Sequence, residues 1–177
     1  LDGSGNVTSP SKWSGKVRIL QHLGTSDQTA DASMVSEIGE WTTAHRARDV
    51  AYLYVRFYKA SNFSSGIPTV TAKIRGKKVY DPRSATTAWS NNPALCIRDY
   101  VLADYGLKER VEDIRESYFE DAADDCDALI AGAKTYTCNG AFLLDASPED
   151  TIRNLLSSMG GIFWNYSGSW AILAAKY

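Results

Sequence analysis

Between residues 50 and 58 the chain alternates without a break. Tyr52, Tyr54, Arg56 and Tyr58 fall on one parity, Leu53, Val55 and Phe57 on the other. A period of two sends the two sets to opposite faces of a strand. The pattern predicts a strand over 49–60 with its aliphatic face turned inward. The face carrying Tyr52, Tyr54, Arg56 and Tyr58 is a candidate interface, since tyrosine and arginine are the side chains contact patches favour. It is either covered by the rest of the same domain or offered to a partner. Shorter alternations predict strands at 16–23 (KVRILQHL) and 69–76 (TVTAKIRG), with 77–81 (KKVYD) continuing the sheet. Residues 50–80 thus read as an antiparallel pair or meander.

The period then changes. Asn92-Pro93 is a helix start, with Asn as the cap and Pro at the first helical position. Ala94, Leu95, Ile97, Val101 and Leu102 follow near a 3.6-residue period, and Gly106 supplies the stop. This predicts an amphipathic helix over 93–105. A second helical region, about 109–131, places Val111, Ile114, Tyr118, Ala122, Cys126 and Leu129 on one stripe and admits a break between Ser117 and Asp121. A third helix, within 146–161, has Ser147 as cap, Pro148 at its start and Glu149 and Asp150 where the helix dipole favours negative charge. Its stripe is Ile152, Leu155, Leu156 and Met159. Val35, Ile38 and Trp41 suggest a short helical turn over 34–41.

Two hairpins complete the pattern. KTYTCNGAFLLD, 134–145, turns at Asn139-Gly140, a strong short-range hairpin signal. IFWNYSGSWAILAA, 162–175, turns at Ser167-Gly168. The predicted class is α+β: antiparallel β-hairpins packed with two or three amphipathic helices. The organisation expected is a flexible Gly/Ser/Pro/Thr-rich lead-in over 1–14 and a single domain over 15–177, with 84–145 as a candidate helical insertion.

Composition narrows the function classes. With 19 basic and 21 acidic residues the net charge is −2, which gives no basic field for nucleic acid. No apolar run approaches the about 18 residues a membrane span needs. The opening LDGSGNVTSP has no apolar core of a signal peptide and no initiator Met, which predicts a piece of a longer protein. Cys96, Cys126 and Cys138, spaced by 30 and 12, match no zinc pattern. They are expected as small buried hydrophobes in a reducing compartment, the alternative being one disulfide and a free thiol.

No reactive constellation stands out. Phosphate-binding, dinucleotide-binding, nucleophile-elbow and zincin patterns are absent. Neither His22 nor His45 has a motif that supplies a nucleophile and an orienting acid. EDAADDCD, 120–127, lacks the Gly and Glu of a calcium loop and reads as a solvated helix face. The sequence therefore predicts no catalytic residue, no cofactor and no metal. The open question lies at 77–102, where Lys77, Lys78, Asp81 and Arg83 are either a reactive cluster or the polar joint between a strand and a helix.

The stretch GIPTVTAKIRGKKVYDPR, followed by WSNNPALCIRDYVLADYG, resembles the central tail-hub proteins of long-tailed bacteriophages and prophages, the tip attachment (host specificity) protein J group. The motif positions are Gly66, Pro68, Arg75, Gly76, Lys77, Val79, Asp81, Pro82 and Arg83, then Ser90, Asn92, Pro93 and Ala94. Trp89 stands where Tyr is usual. The end of the chain, from YTCNGAFLLD through the Pro-capped helix, Gly-Gly and aromatic hairpin, is similar too. The resemblance covers 50–177 well and 1–49 loosely.

It implies a structural, non-enzymatic domain of the virion's tail tip, made in the bacterial cytoplasm. It implies a homotrimeric ring in the full-length protein, contacts with tail-tube, tape-measure and fibre proteins, and a part in host attachment. It also implies that Asp81-Pro82-Arg83 is the joint. Two rival readings remain: a carbohydrate- or receptor-binding module stacking glycans on Trp89, Trp164, Trp170 or the tyrosines, and a tail-associated cell-wall hydrolase.

Overall fold

β1 (Val17–Leu23) pairs antiparallel with β2 (Ala51–Phe57), from Val17 opposite Phe57 to Leu23 opposite Ala51. This strand pair is the frame of the first of two compact units, Leu1–Ala72 and Lys73–Tyr177. The computed structural model describes residues 1–58, 61–63 and 66–176, with Asn62 described for its backbone alone. One unit ends at Ala72 and the other begins at Lys73.

In the first unit Val17 is the only large apolar side chain that is fully buried among the described residues. Polar contacts carry much of the rest. Asp31 caps α1 (Ala32–Glu37) by accepting from Met34 N at 2.8 Å, and its other oxygen lies 2.7 Å from His22 Nε2. The buried Gln28 accepts from Gly24 N and donates to the carbonyls of Arg46 and Ala47. The start of the chain lies along β1: Val7 N donates to Val17 O and Ile19 N to Gly5 O. Gly5 is required there, because a Cβ would sit 2.6 Å from Ile19 O.

The second unit holds a continuous core. β3 (Lys78–Asp81) and β4 (Thr86–Trp89) form a hairpin, with Asp81 opposite Thr86. α2 (Pro93–Leu102) follows, then a 3-10 turn at Val111–Asp113 and α3 (Glu116–Asp127). The small hairpin of β5 (Leu129–Ile130) and β6 (Ala133–Lys134) precedes α4 (Pro148–Ser157). β7 (Ile162–Tyr166) and β8 (Ser169–Leu173) close the chain. Leu95, Ile97 and Val101 of α2 pack against Phe119, Ala122 and Cys126 of α3, with Met159, Ile172 and Ala174 beneath them.

The class is α+β, and among the described residues each sheet is a two-stranded antiparallel pair. Among the described residues no helix is long and apolar enough to cross a membrane.

Several predicted elements differ from those found. The strand at 69–76 does not form. Among the described residues no strand pairs with it, and Val70 and Ile74 are exposed. β3 pairs forward with β4, which a short turn brings back locally, rather than joining a meander with β2. The hairpin at Asn139-Gly140 is absent because its donors go elsewhere. Thr135 N reaches Ala128 O, Tyr136 N reaches Cys126 O, and Cys138 N reaches Asn91 O. The turn is made at Ala131-Gly132, both at positive φ, as a tight hairpin requires.

The helix foreseen over 109–131 breaks earlier than expected, at Ile114–Arg115, where Arg115 N donates to Trp170 O of β8 at 2.8 Å. The break resets the helical phase. Val111 and Tyr118 of the foreseen stripe are exposed, and Phe119 and Ala123 are buried instead. Leu53, expected to look inward from β2, is 43% exposed.

Candidate functional site

The residues of the opening question part company in the structure. Lys77 turns to α2, and Asp81 and Arg83 turn to α3. Asp81 Oδ1 accepts from Arg83 N at 3.0 Å, an Asx-type turn that reverses the chain between β3 and β4. The Arg83 guanidinium meets the same carboxylate edge-on, Nε to Oδ1 at 3.0 Å and Nη2 to Oδ2 at 2.8 Å. It also reaches Asp124 at 2.7 Å and Asp127 at 2.9 Å on α3.

With a side chain only 22% exposed, Arg83 is a partly buried clip rather than a surface ion pair. Arg83 holds the Asp81 carboxyl below its ordinary range. Burial pushes Asp127 up, but Lys134 and Arg83 together outweigh it and leave its carboxyl lowered. The acidic run is therefore not simply a solvated face. Arg83, Lys134 and Lys176 all come to it.

The second link of the joint is Asn92. It is fully buried and accepts from Ala94 N at 3.0 Å as the helix cap, while its Nδ2 donates to Ala123 O of α3 at 2.9 Å. Arg98, one helical turn and a half further on, is bound by Glu116 at the start of α3.

A cleft of about 530 Å³ opens on the other side of the β3–β4 hairpin. Lys77, Trp89, Asp99, Tyr105 and Phe142 line it, together with Cys96 and Cys138. Lys77 Nζ donates to both Asp99 oxygens, at 2.8 and 2.7 Å, and to Tyr105 Oη at 2.8 Å. Burial alone would lower the Lys77 pKa, but Asp99 and Tyr105 raise it above the ordinary value. An ammonium held in this way is neither a general base nor a nucleophile near neutral pH. Among the described residues no three His, Cys, Asp or Glu side chains are grouped to hold a metal ion.

In the first unit the candidate interface residues are engaged with their own neighbours. Tyr52 stacks on His22 with ring centroids 4.5 Å apart. Tyr54 donates to Glu37 Oε2, and Arg56 Nη1 lies 2.6 Å from the same oxygen. Arg56 also lies over the Tyr58 ring at 5.0 Å. Glu37, at the end of α1, binds Arg18 as well. His45 accepts from Thr42 N at 2.9 Å.

Sequence reasoning did not single out Glu37, Gln28, Asp31, Asp99, Arg98 or Glu116. None carries a motif, and each has a partner between 6 and 22 residues away along the chain. Asn92 was legible because a cap before Pro is a local signal. The expectation of buried cysteines holds for Cys126 alone; all three are free thiols, and Cys96 and Cys138 are half-buried at the cleft.

No protein-family model matches the chain. No curated protein matches it either.

Proposed function

We propose that this chain is a structural, non-enzymatic domain of a phage or prophage tail-tip hub. It acts through contacts with neighbouring tail proteins during assembly and host attachment. The observation that carries the reading is the state of its sheets. Each has only two strands, and among the described residues the outer edges are met only locally, by the bridges Asn6–Arg18 on β1 and Ile114–Trp170 on β8, which leaves backbone groups open to a further strand. On the last hairpin the cross-strand pair Ile162 and Leu173 is 58% and 40% exposed, and Tyr166 is 62% exposed. Such edges and apolar faces suit a part completed by its neighbours.

The motif residues support the same reading. Asp81, Arg83 and Asn92 tie a hairpin to two helices, as a load-transmitting joint requires. The tryptophans offered as glycan platforms are already engaged. Trp89 lies under Arg75, Trp164 meets Tyr118 edge-on, and Trp170 stacks on Phe163. In the full-length protein the reading entails a homotrimer in the virion's tail tip.

The test is immunogold labelling of particles from a lysate of the strain that encodes the chain. Label at the distal end of tails supports the proposal. Unlabelled tails, with the protein free in the same lysate, overturn it. Release of soluble fragments from peptidoglycan by the purified chain overturns the non-enzymatic part.

A further inference from the structure

Cys96 and Cys138 are 42 positions apart in the sequence but straddle one short segment, residues 90–92. Cys138 N donates to Asn91 O at 2.8 Å. Cys96, in the first turn of α2, has its amide on Asn92 O at 3.1 Å and its Sγ 3.9 Å from Ser90 O. Both side chains line the same open cleft. Cys126 differs: it is fully buried, with its Sγ 3.8 Å from Met159 Sδ.

We propose that Cys96 and Cys138 form a reversible disulfide, closed by thiol–disulfide exchange with a low-molecular-weight disulfide that enters the cleft. The inference is independent of where the chain works. Cys138 is taken as the attacking sulfur because it sits on a segment without strand or helix, whereas Cys96 is held in the first turn of α2. The neighbouring Cys96 thiol holds the Cys138 pKa below the ordinary value against the opposing effect of burial. That same contact, with burial, raises Cys96, which keeps its proton until the second step.

In the first step the Cys138 thiolate displaces one thiolate from the small disulfide and becomes a mixed disulfide. Cys96 then gives its proton to solvent and attacks Cys138 Sγ, expelling the second thiolate. The two protein sulfurs are oxidised, and the small disulfide is reduced to two thiols that take up the two protons. The bond pins residues 135–147, which contain neither strand nor helix, to the start of α2. Oxidation therefore fixes one rim of the cleft.

The experiment exposes the folded chain to oxidised glutathione, followed by acid quench, alkylation, intact-mass measurement and peptide mapping. The expected product is lighter by two hydrogens, with one cross-link joining the Cys96 and Cys138 peptides, and it reverts with dithiothreitol. Cys126 is alkylated only after unfolding. The C96S variant, which lacks the resolving thiol, should retain one glutathionyl group on Cys138. A wild-type product with stable glutathionyl adducts and no cross-link, with unreacted thiols, or with Cys126 in the cross-link overturns the proposal. A C96S protein that stays unmodified does so too, because Cys138 is then not the attacking sulfur.

Discussion

Arg98 Nη2 lies 2.7 Å from Glu116 Oε1, with the arginine side chain 7% exposed and the glutamate 32%. The guanidinium also rests over the Tyr80 ring at 5.1 Å. One cation thus joins β3, α2 and α3. Removing one partner of a buried pair strands the other charge, and the cost follows how far the stranded group is from water. Glu116→Ala is expected to cost about 2–3 kcal/mol, the partial exposure of Glu116 keeping it below the fully buried case. Arg98→Met leaves only the more exposed Glu116 unpaired and keeps the apolar stem, so it is expected to cost less, about 1–2 kcal/mol. Urea unfolding of both variants checks the order.

Asn92 does two jobs with one side chain, and the two can be separated. Asn92→Ala loses the cap and leaves Ala123 O without its donor, an expected loss of about 2–3 kcal/mol. Asn92→Ser keeps a capping oxygen and loses only the donor, so it should recover roughly 1 kcal/mol of that loss. The shift in the urea midpoint between the two variants gives the measurement.

What the sequence made legible follows from how local each signal is. The helix starts at Asn92-Pro93 and Ser147-Pro148 and the hairpin at Ser167-Gly168 rest on neighbours in the chain, and the structure has an element at each. Even so, Ser147 makes no side-chain capping bond. The failures share a cause. TVTAKIRG alternates as a strand should, yet alternation provides no partner, and none arrives. Asn139-Gly140 has the residues of a tight turn, but the flanking amides are taken by Asn91, Cys126 and Ala128. The Arg83 clip was half visible: its bond to Asp81 is local, while Asp124 and Asp127 are 41 and 44 residues away. Cys96 and Cys138 come together through the path of the 135–147 segment, which no periodicity encodes.

Acid should weaken the first unit through Glu37. Its carboxyl is lowered to about 2 from 4.5, chiefly by the Tyr54 hydroxyl, then by Arg18 and Arg56. A lowered folded pKa means the contribution is whole above the unfolded value and fades as the pH falls from 4.5 toward about 2. Tyr54→Phe removes the largest cause, so the Glu37 titration should move to higher pH. Carboxyl-carbon NMR across that range gives the answer, and an unmoved midpoint would refute the assignment to Tyr54.

Two glycines bracket the range of tolerance in the second unit. A Cβ on Gly106 would lie 1.8 Å from Tyr100 O, a clash with backbone that rotamers cannot relieve. A Cβ on Gly76 would meet nothing within 4 Å. Gly106→Ala is therefore expected to lose about 2–4 kcal/mol, and Gly76→Ala to stay within about 0.5 kcal/mol. Thermal melts of the two variants side by side test the contrast.

The amide of Asn92 has a kinetic corollary. Its oxygen belongs to the beginning of α2 and its nitrogen to the carbonyl row of α3, so neither helix can fray at that point without taking a bond from its neighbour. Deuterium uptake in the two segments should share one rate and one activation enthalpy, the signature of a single gate rather than two doors.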